Sequence, residues 1–241
     1  MHGMVELRGG QGMNRRVAVV AAHPDDEVLG CGGTIARHAA EGDQVHVLVV
    51  AEGATSRSAT RDRSKSSGEL SQLAAAARRA NQLLGTFNLE LLDFPDNRLD
   101  GVDLLDVVKA VEGFLDKCRP QTVYTHWPSD LNVDHRVVSE AVQTACRPVP
   151  QSMQEQLLFF EVPSSTEWRA GGGRAFEPNY FVDISATLEL KKRALSAYES
   201  EMRAWPHSRS PEAVQALACW RGASVGVAAA EAFMLGRAVV R

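Results

Sequence analysis

Apolar runs of strand length alternate with segments of helical periodicity along most of this chain. Residues 16–22 (RVAVVAA) and 44–51 (QVHVLVVA) are nearly continuous apolar runs rich in valine, a composition typical of strands that are covered on both faces. Between them, residues 30–41 have helical spacing, and Gly42 follows where a helix should end. The pattern therefore predicts a β-α-β unit at the start of the fold.

The same alternation continues as far as residue 162. Further strands are predicted at 89–94, 122–127 and 156–162, and further helices at 70–84, 102–118 and about 135–146. Strands that alternate with helices predict an α/β fold with a Rossmann-like, doubly wound and mainly parallel sheet. In such sheets, ligands bind outside the carboxyl ends of the strands.

The chain after residue 162 departs from this alternation. A short strand is predicted at 180–185, a helix over 186–202, and a last, alanine-rich helix from about Glu212. We therefore expect a C-terminal helical elaboration of the same domain, because no linker or internal repeat separates it from the sheet. Residues 54–67 are polar and weakly patterned, and we expect them to form a mobile loop over the ligand site.

The domain organisation follows from the length of the chain and from its first residues. A chain of 241 residues is long enough to bury a large core, about 70–75% of its unfolded surface. Residues 1–14 are glycine-rich and aperiodic, so they are predicted to be a flexible leader. Residues 15–241 are predicted to form a single domain.

Composition and charge exclude several classes of partner. The chain has 26 Lys and Arg residues against 30 Asp and Glu residues, a net charge of −4, which gives no electrostatic reason to expect nucleic acid or an anionic membrane as a partner. No apolar run approaches the ~20 residues of a membrane helix, so we expect a cytoplasmic protein. The four cysteines have no CxxC spacing and are expected to be reduced thiols. A homo-oligomer is left open.

The most informative segment is HPDDE at residues 23–27, which follows the first predicted strand. Adjacent carboxylates in a partly buried turn repel each other, and a bound cation would relieve that repulsion. The structural alternative is a polar turn in which Asp25 or Asp26 caps the next helix.

A second polar cluster follows the fourth predicted strand and runs from His126 to His135. Because both clusters lie at the carboxyl ends of parallel strands, we expect them to meet across one cleft. Metal ligands from two strand ends would leave one position open for water, as in catalytic zinc sites. For His135 alone, the alternative is a histidine at a helix start that bonds its neighbours.

These segments resemble the LmbE/PIG-L family of zinc-dependent N-acetylglucosamine deacetylases. The resemblance rests on AHPDDEVLGCGGTIARHAAEG at 22–42 and DLNVDHR at 130–136, with FPDNRLD at 94–100 and AEAF at 230–233. It therefore covers most of the predicted domain.

The resemblance implies a specific site. The zinc ligands would be His23, Asp26 and His135, the general base would be Asp25, and the sugar-contacting aspartate would be Asp96. The residue types agree with these roles, because imidazole and carboxylate groups bind zinc and a neighbouring carboxylate can take a proton from water. Zinc is implied by the resemblance, and ferrous iron accepts the same ligand set.

The chain departs from the family at Asn132, where many members have a histidine. Asn132 can donate hydrogen bonds to an oxyanion but cannot act as a general acid near neutral pH. We therefore expect the departing amine to be protonated either by Asp25, once it has taken a proton, or by His207 in the loop before the last helix. Asp134 is expected either to orient a ligand imidazole or to cap its helix.

Further side chains are expected to contact the substrate. These are Arg98 beside the family's sugar-contacting position, His126 at the end of a strand, and Arg209, which shares the loop of His207. The predicted activity is removal of the N-acetyl group from an N-acetylglucosamine-type sugar, as a glycoside, a nucleotide sugar or a natural-product precursor. The alternatives are a zinc amidase for another amide, such as a thiol conjugate, and a non-catalytic relative that binds sugars or nucleotides.

Two other features have structural interpretations. The GCGGT segment at residues 30–34 lacks the GxGxxG spacing of a dinucleotide site, so its small residues are expected to allow close packing of a helix. Glu231 is expected to be either a buried carboxylate in a polar network or a plain surface residue.

Overall fold

The alternating segments of the sequence form a seven-stranded sheet with helices on both of its faces. The computed structural model describes residues 14–57, 60–150, 152–171 and 174–240. The predicted leader, apart from Asn14, therefore lies outside the described residues. The strands are β1 (Arg16–Ala21), β2 (Gln44–Ala51), β3 (Asn88–Phe94), β4 (Thr122–His126), β5 (Gln156–Phe160), β6 (Tyr180–Asp183) and β7 (Ala230–Ala238). The helices are α1 (Asp26–Ala40), α2 (Ser67–Leu84), α3 (Leu104–Cys118), α4 (Val133–Ala145), α5 (Leu188–Leu195) and α6 (Pro211–Ala223).

The strand order creates a crevice at the middle of the sheet. The order is β3-β2-β1-β4-β5-β7-β6, and the first five of these strands pair in parallel. The chain builds outward from β1 to β3 and then returns to place β4 on the other side of β1. Ligands of doubly wound sheets bind at such a reversal, outside the carboxyl ends of the two central strands. The predicted fold class is confirmed.

Hydrophobic cores on both faces explain the continuous apolar runs of the central strands. Val17 and Val19 of β1 belong to one core, with α1, α2 and α5, whereas Ala18 and Val20 belong to the other, with α3 and α4. A strand that is covered on both faces has no position for a polar side chain, so alternation disappears from its sequence.

The C-terminal region adds strands as well as helices to this sheet. The helix predicted over 186–202 is shorter and consists of α5 followed by a single 3₁₀ turn. The nine residues of β7 were not predicted as a strand, because AEAFMLGRA is rich in alanine and contains a glycine. β7 forms because it pairs antiparallel with β5 on one side and β6 on the other.

The structure also defines the start of α1 and the state of the cysteines. The helix predicted from Gly30 begins earlier, at Asp26, directly after the HPD turn. All four cysteines are free, and only Cys219 is exposed. Among the described residues, no helix combines the length and the apolar character needed to cross a membrane.

The glycines of GCGGT do allow close packing, as predicted. A Cβ on Gly30 would lie 2.4 Å from the ring of Phe160, and a Cβ on Gly33 would lie 2.8 Å from Ile184. Both distances are far below van der Waals contact, so α1 can approach β5 and the segment after β6 only through glycine.

We expect Gly30→Ala to lower the free energy of unfolding by ~1–3 kcal/mol, because the added methyl group overpacks a filled core. Gly113→Ala is the matched control, since Gly113 lies inside α3 with open space around its would-be Cβ. That change should raise the stability by ~0.5–1 kcal/mol through helix propensity. Urea denaturation measures both, and a Gly30→Ala protein as stable as the wild type would contradict the packing argument.

Candidate metal centre and active site

The carboxyl ends of β1 and β4 bring the three predicted metal ligands together. Asp26 Oδ2 lies 3.3 Å from His23 Nδ1 and 3.2 Å from His135 Nε2, and one ligand atom of each residue lies within 4.8 Å of the others. Asp26 and His135 are fully buried, whereas the His23 side chain is 12% exposed. The cluster is therefore open to solvent on the side of His23.

Two buried atoms of this cluster, Asp26 Oδ1 and His135 Nε2, have no hydrogen-bond partner among the described residues. Buried polar atoms without partners are rare in native proteins and call for an explanation. A cation between these side chains would satisfy both atoms, and imidazole and carboxylate donors suit zinc or ferrous iron. The residues present therefore fit a divalent metal ion.

A carboxylate orients each of the two histidines through its other ring nitrogen. Asp134 Oδ2 lies 2.9 Å from His23 Nε2, and Asp130 Oδ1 lies 3.1 Å from His135 Nδ1. Such pairs fix the tautomer and the ring orientation of a metal ligand. Asp134 thus orients an imidazole, but that of His23 rather than of its neighbour His135.

Asp130 was not among the predicted site residues. Its carboxylate accepts hydrogen bonds from the hydroxyl groups of Ser165 and Thr166. Burial alone would raise the pKa of Asp130, but its interaction with His135 and these hydroxyl bonds lower it to about 2. The only sequence signal was its place in the polar run after β4, and its role depends on a loop conformation that the spacing does not specify.

His126 is buried behind the cluster and does not line the cleft, contrary to the expectation that it contacts the substrate. Its side chain is completely buried, stacks on His135 with ring centroids 3.9 Å apart, and accepts a 2.8 Å hydrogen bond from the backbone N–H of Ala22. Burial and the charge of His135 lower the pKa of His126 well below its ordinary value. His126 is therefore a neutral support behind the cluster.

Asp25 occupies a strained position beside the ligands. It is a non-glycine residue with a φ of 112° at the N-terminus of α1, a conformation that costs ~1–3 kcal/mol and occurs often at functional sites. Its Oδ2 lies 2.7 Å from Nη1 of Arg209. Burial raises the pKa of Asp25 to about 8, although the charge of Arg209 opposes the shift.

The loop that carries His207 and Arg209 reaches the site through Arg209. Besides contacting Asp25, Arg209 donates from Nε to Ser164 Oγ at 2.7 Å. Its backbone N–H donates to Nδ1 of His207 at 3.0 Å, and the His207 ring stands edge-on to Trp168. Within the described chain, no hydrogen bond, ion pair or ring contact joins His207 to the three predicted ligands. Arg209 itself contacts the expected base.

The side chain of Asn132 forms hydrogen bonds with neighbouring residues. Its side-chain oxygen caps α4 by accepting the N–H groups of Asp134 and His135, at 2.8 and 3.4 Å. Its amide nitrogen donates to Oδ1 of Asn97 at 2.9 Å. An amide nitrogen carries two hydrogens, and this bond uses one of them, so the expectation that Asn132 donates to an oxyanion stays a prediction.

The predicted sugar-contacting turn borders the same cleft. Asp96 is buried, with Oδ1 3.3 Å from His23 Nε2 and Oδ2 accepting the N–H of Ser56 at 2.9 Å. Arg98 is exposed on the same turn. Ser56 belongs to a 3₁₀ turn in the predicted loop over the site, and Ser58 and Ala59 of that loop lie outside the described residues. The mobility of the loop stays a prediction.

The fold and the cluster define an α/β protein with a buried His-Asp-His cluster, able to hold a metal ion, at the reversal point of its sheet. Residues 18–146 match the PIG-L family, described as GlcNAc-PI de-N-acetylase, and the chain belongs to that family.

Individual relatives agree with this assignment. The chain is 31% identical over 189 residues to the uncharacterized deacetylase YaiS of Escherichia coli (strain K12), which covers 74% of this chain and 92% of that protein. It is 31% identical over 195 residues to the diacetylchitobiose deacetylase of Thermococcus kodakarensis, a match that covers 78% of this chain and 70% of that protein. The crystal structure of the conserved protein TT1542 from Thermus thermophilus superposes with a TM-score of 0.72 at 28% identity, over 94% of this chain and 97% of that one.

We expect metal binding to weaken as the pH falls. The carboxylates around the two histidine rings raise the pKa of His135 to about 9 and that of His23 well above its ordinary value, despite burial. The metal-free protein therefore holds protons on both rings at neutral pH, and a metal ion must displace them. Below pH 9, zinc affinity should fall about tenfold per pH unit for each proton displaced.

Chelator competition at several pH values measures this dependence. An indicator in weakly buffered solution should also report the release of about two protons per zinc ion at pH 7. A zinc affinity that does not change with pH, with no proton release, would show that the metal binds elsewhere.

Proposed function

We propose that this protein is a zinc-dependent N-deacetylase that hydrolyses the N-acetyl group of an N-acetylglucosamine-type sugar. The observation that carries the proposal is the cluster of His23, Asp26 and His135, with two unpartnered buried atoms and a further carboxylate, Asp25, at its side. The family to which the chain belongs and the diacetylchitobiose deacetylase among its relatives support an acetamido sugar as substrate.

The metal would be held by His23 Nδ1, His135 Nε2 and a carboxylate oxygen of Asp26. Bound there, it would supply Lewis acidity, which polarises an amide carbonyl and makes water a stronger acid. Asp130 and Asp134 contribute by holding the two imidazole rings in place.

Asp25 is the general base in this proposal. It is adjacent to Asp26 in the chain, but it pairs with Arg209 and is not in the group of potential ligand atoms. Arg209 holds one carboxylate oxygen, so the orientation of the second oxygen is fixed as well. A base positioned in this way removes a proton from the attacking water as the carbonyl carbon is attacked.

The proton returns from Asp25 to the departing amine in our account. His207 was the other candidate, but its Nδ1 accepts the N–H of Arg209, and an imidazolium ring cannot accept that bond. A protonated His207 would therefore lose its hydrogen bond from the backbone N–H of Arg209. Asp25 needs no such rearrangement, because it already carries the proton taken from water.

The turn that contains Asp96 and Arg98 would bind the sugar hydroxyl groups. It borders the exposed side of His23, where the cluster opens to solvent. Carboxylate and guanidinium groups on one turn can accept from and donate to neighbouring hydroxyls, which is the kind of polar contact that orients a ligand in a site.

Metal binding and turnover should respond to different substitutions. His135→Ala and Asp26→Ala should lose bound zinc, because each removes a ligand. Asp25→Asn should keep zinc and lose ~10²–10⁴-fold in the rate of acetate release, because it removes only the base. Metal analysis and a rate assay on the same preparations test this separation. An Asp25→Asn protein with near wild-type activity would refute the assigned base.

Arg209→Met should lower kcat by about tenfold or more and change KM little, because the guanidinium orients Asp25 rather than the substrate. Arg203→Met is the control, since Arg203 is exposed in the same loop and its side chain donates to backbone carbonyls. A rise in KM with unchanged kcat would instead support the expectation that Arg209 binds the substrate.

A further inference from the structure

Helix α1 is interrupted one turn after the predicted metal ligand that it carries. Cys31 has a φ of −147° and a ψ of 26°, which are not helical values, so two helical segments meet there. The first segment begins with Asp26, and the second continues to Ala40. An interruption of this kind leaves backbone carbonyl and N–H groups without their helical partners.

A buried ion pair takes the place of the missing backbone bonds. In a continuous helix the carbonyl of Leu29 would accept the N–H of Gly33. Here the Leu29 carbonyl accepts from Lys191 Nζ at 2.8 Å, and the Gly33 N–H donates to Glu231 Oε1 at 2.9 Å. Glu231 Oε2 also accepts the N–H of Thr34 at 2.7 Å. Lys191 and Glu231 bind each other at 2.6 Å, so the pair is inserted into the helix.

The pair is well matched to this position. Both side chains are about 95% buried, and their charged atoms bond each other as well as the backbone groups at the interruption. Buried charges are tolerated when they are paired and fully hydrogen-bonded, whereas removing one partner leaves a charge that is costly to bury. Lys191 comes from α5 and Glu231 from β7, so two C-terminal elements meet at the segment that carries Asp26.

We propose that Lys191 and Glu231 are positioning residues for the metal centre, an inference that rests on the metal site of the proposed function. The pair keeps the first turn of α1 at an angle to the rest of the helix, and this angle sets Asp26 against His135. Without the pair, the Leu29 carbonyl would be free to accept a hydrogen bond from the Gly33 N–H, as in a continuous helix. Closing that bond would straighten α1 and move Asp26 away from His135.

The first test is zinc affinity, measured by chelator competition on folded protein. The double variant Lys191→Met/Glu231→Gln removes both charges together and keeps an acceptor for one backbone N–H. We expect its zinc affinity to fall by at least about tenfold, as for other groups that orient metal ligands. Glu112→Gln is the control, because Glu112 pairs with Arg147 and lies on α3, which packs on the opposite face of the sheet from α1, and it should bind zinc like the wild type.

If Lys191 and Glu231 only stabilise the fold, the result is different. The double variant would then have a lower melting temperature, but the zinc affinity of the folded protein would be unchanged, and that outcome would overturn the inference. If the wild type binds no zinc, the proposed function fails as well. If the wild type and the double variant bind zinc equally, only this inference fails.

Hydrogen exchange on the wild type provides a test that does not depend on how the variant folds. If the pair strengthens zinc binding, then zinc must stabilise the arrangement held by the pair, because coupling between two sites is reciprocal. Adding zinc should therefore slow exchange at Gly33 and Thr34 more than at Val47 in the buried strand β2. Equal slowing at all three amides would contradict the inference.

Discussion

The structure depends on one buried carboxylate, Asp26, held between two imidazole rings at the carboxyl ends of β1 and β4. Burial alone would raise the pKa of this carboxyl group, but the charge of His135 and the closeness of the His23 and His135 rings lower it well below the ordinary value. A charged group without solvent exposure persists only where opposite charges compensate it. A metal ion would extend the same compensation to the oxygen that has no partner.

Parts of the chain that are distant in sequence support this cluster. Asp130, from the loop after β4, orients one ring, and hydroxyl groups from the segment after β5 hold Asp130 in turn. Arg209, from the loop before α6, fixes Asp25, and the C-terminal strand β7 supplies Glu231 to the interruption in α1. The C-terminal elaboration therefore belongs to the construction of the site, although every predicted metal ligand lies in the first 135 residues.

The central part of the fold and the meeting of the two polar clusters at one sheet edge were predictable because both depend on local pattern, whereas the individual ligand assignments came from the family resemblance. Double-sided burial makes β1 and β2 apolar throughout, and parallel topology brings the segments after β1 and β4 to one edge. β7 was not predictable in this way, because pairing with two neighbours forms it against the weak propensity of its alanines. The positions of His126 and Asp130 could not be predicted from the sequence either. They depend on burial and on loop conformation, which residue spacing does not specify.

In the proposed function, the cluster binds a metal ion that the protein uses to hydrolyse an acetamido sugar. The most direct measurement is the yield of acetate and free amine from N-acetylglucosamine glycosides and diacetylchitobiose with the zinc-loaded protein. We expect equal amounts of both products from at least one of these sugars, loss of the reaction with a chelator, and its return with zinc. A protein that binds zinc at His23, Asp26 and His135 but releases acetate from none of them would contradict the proposed function and indicate another amide or a binding role.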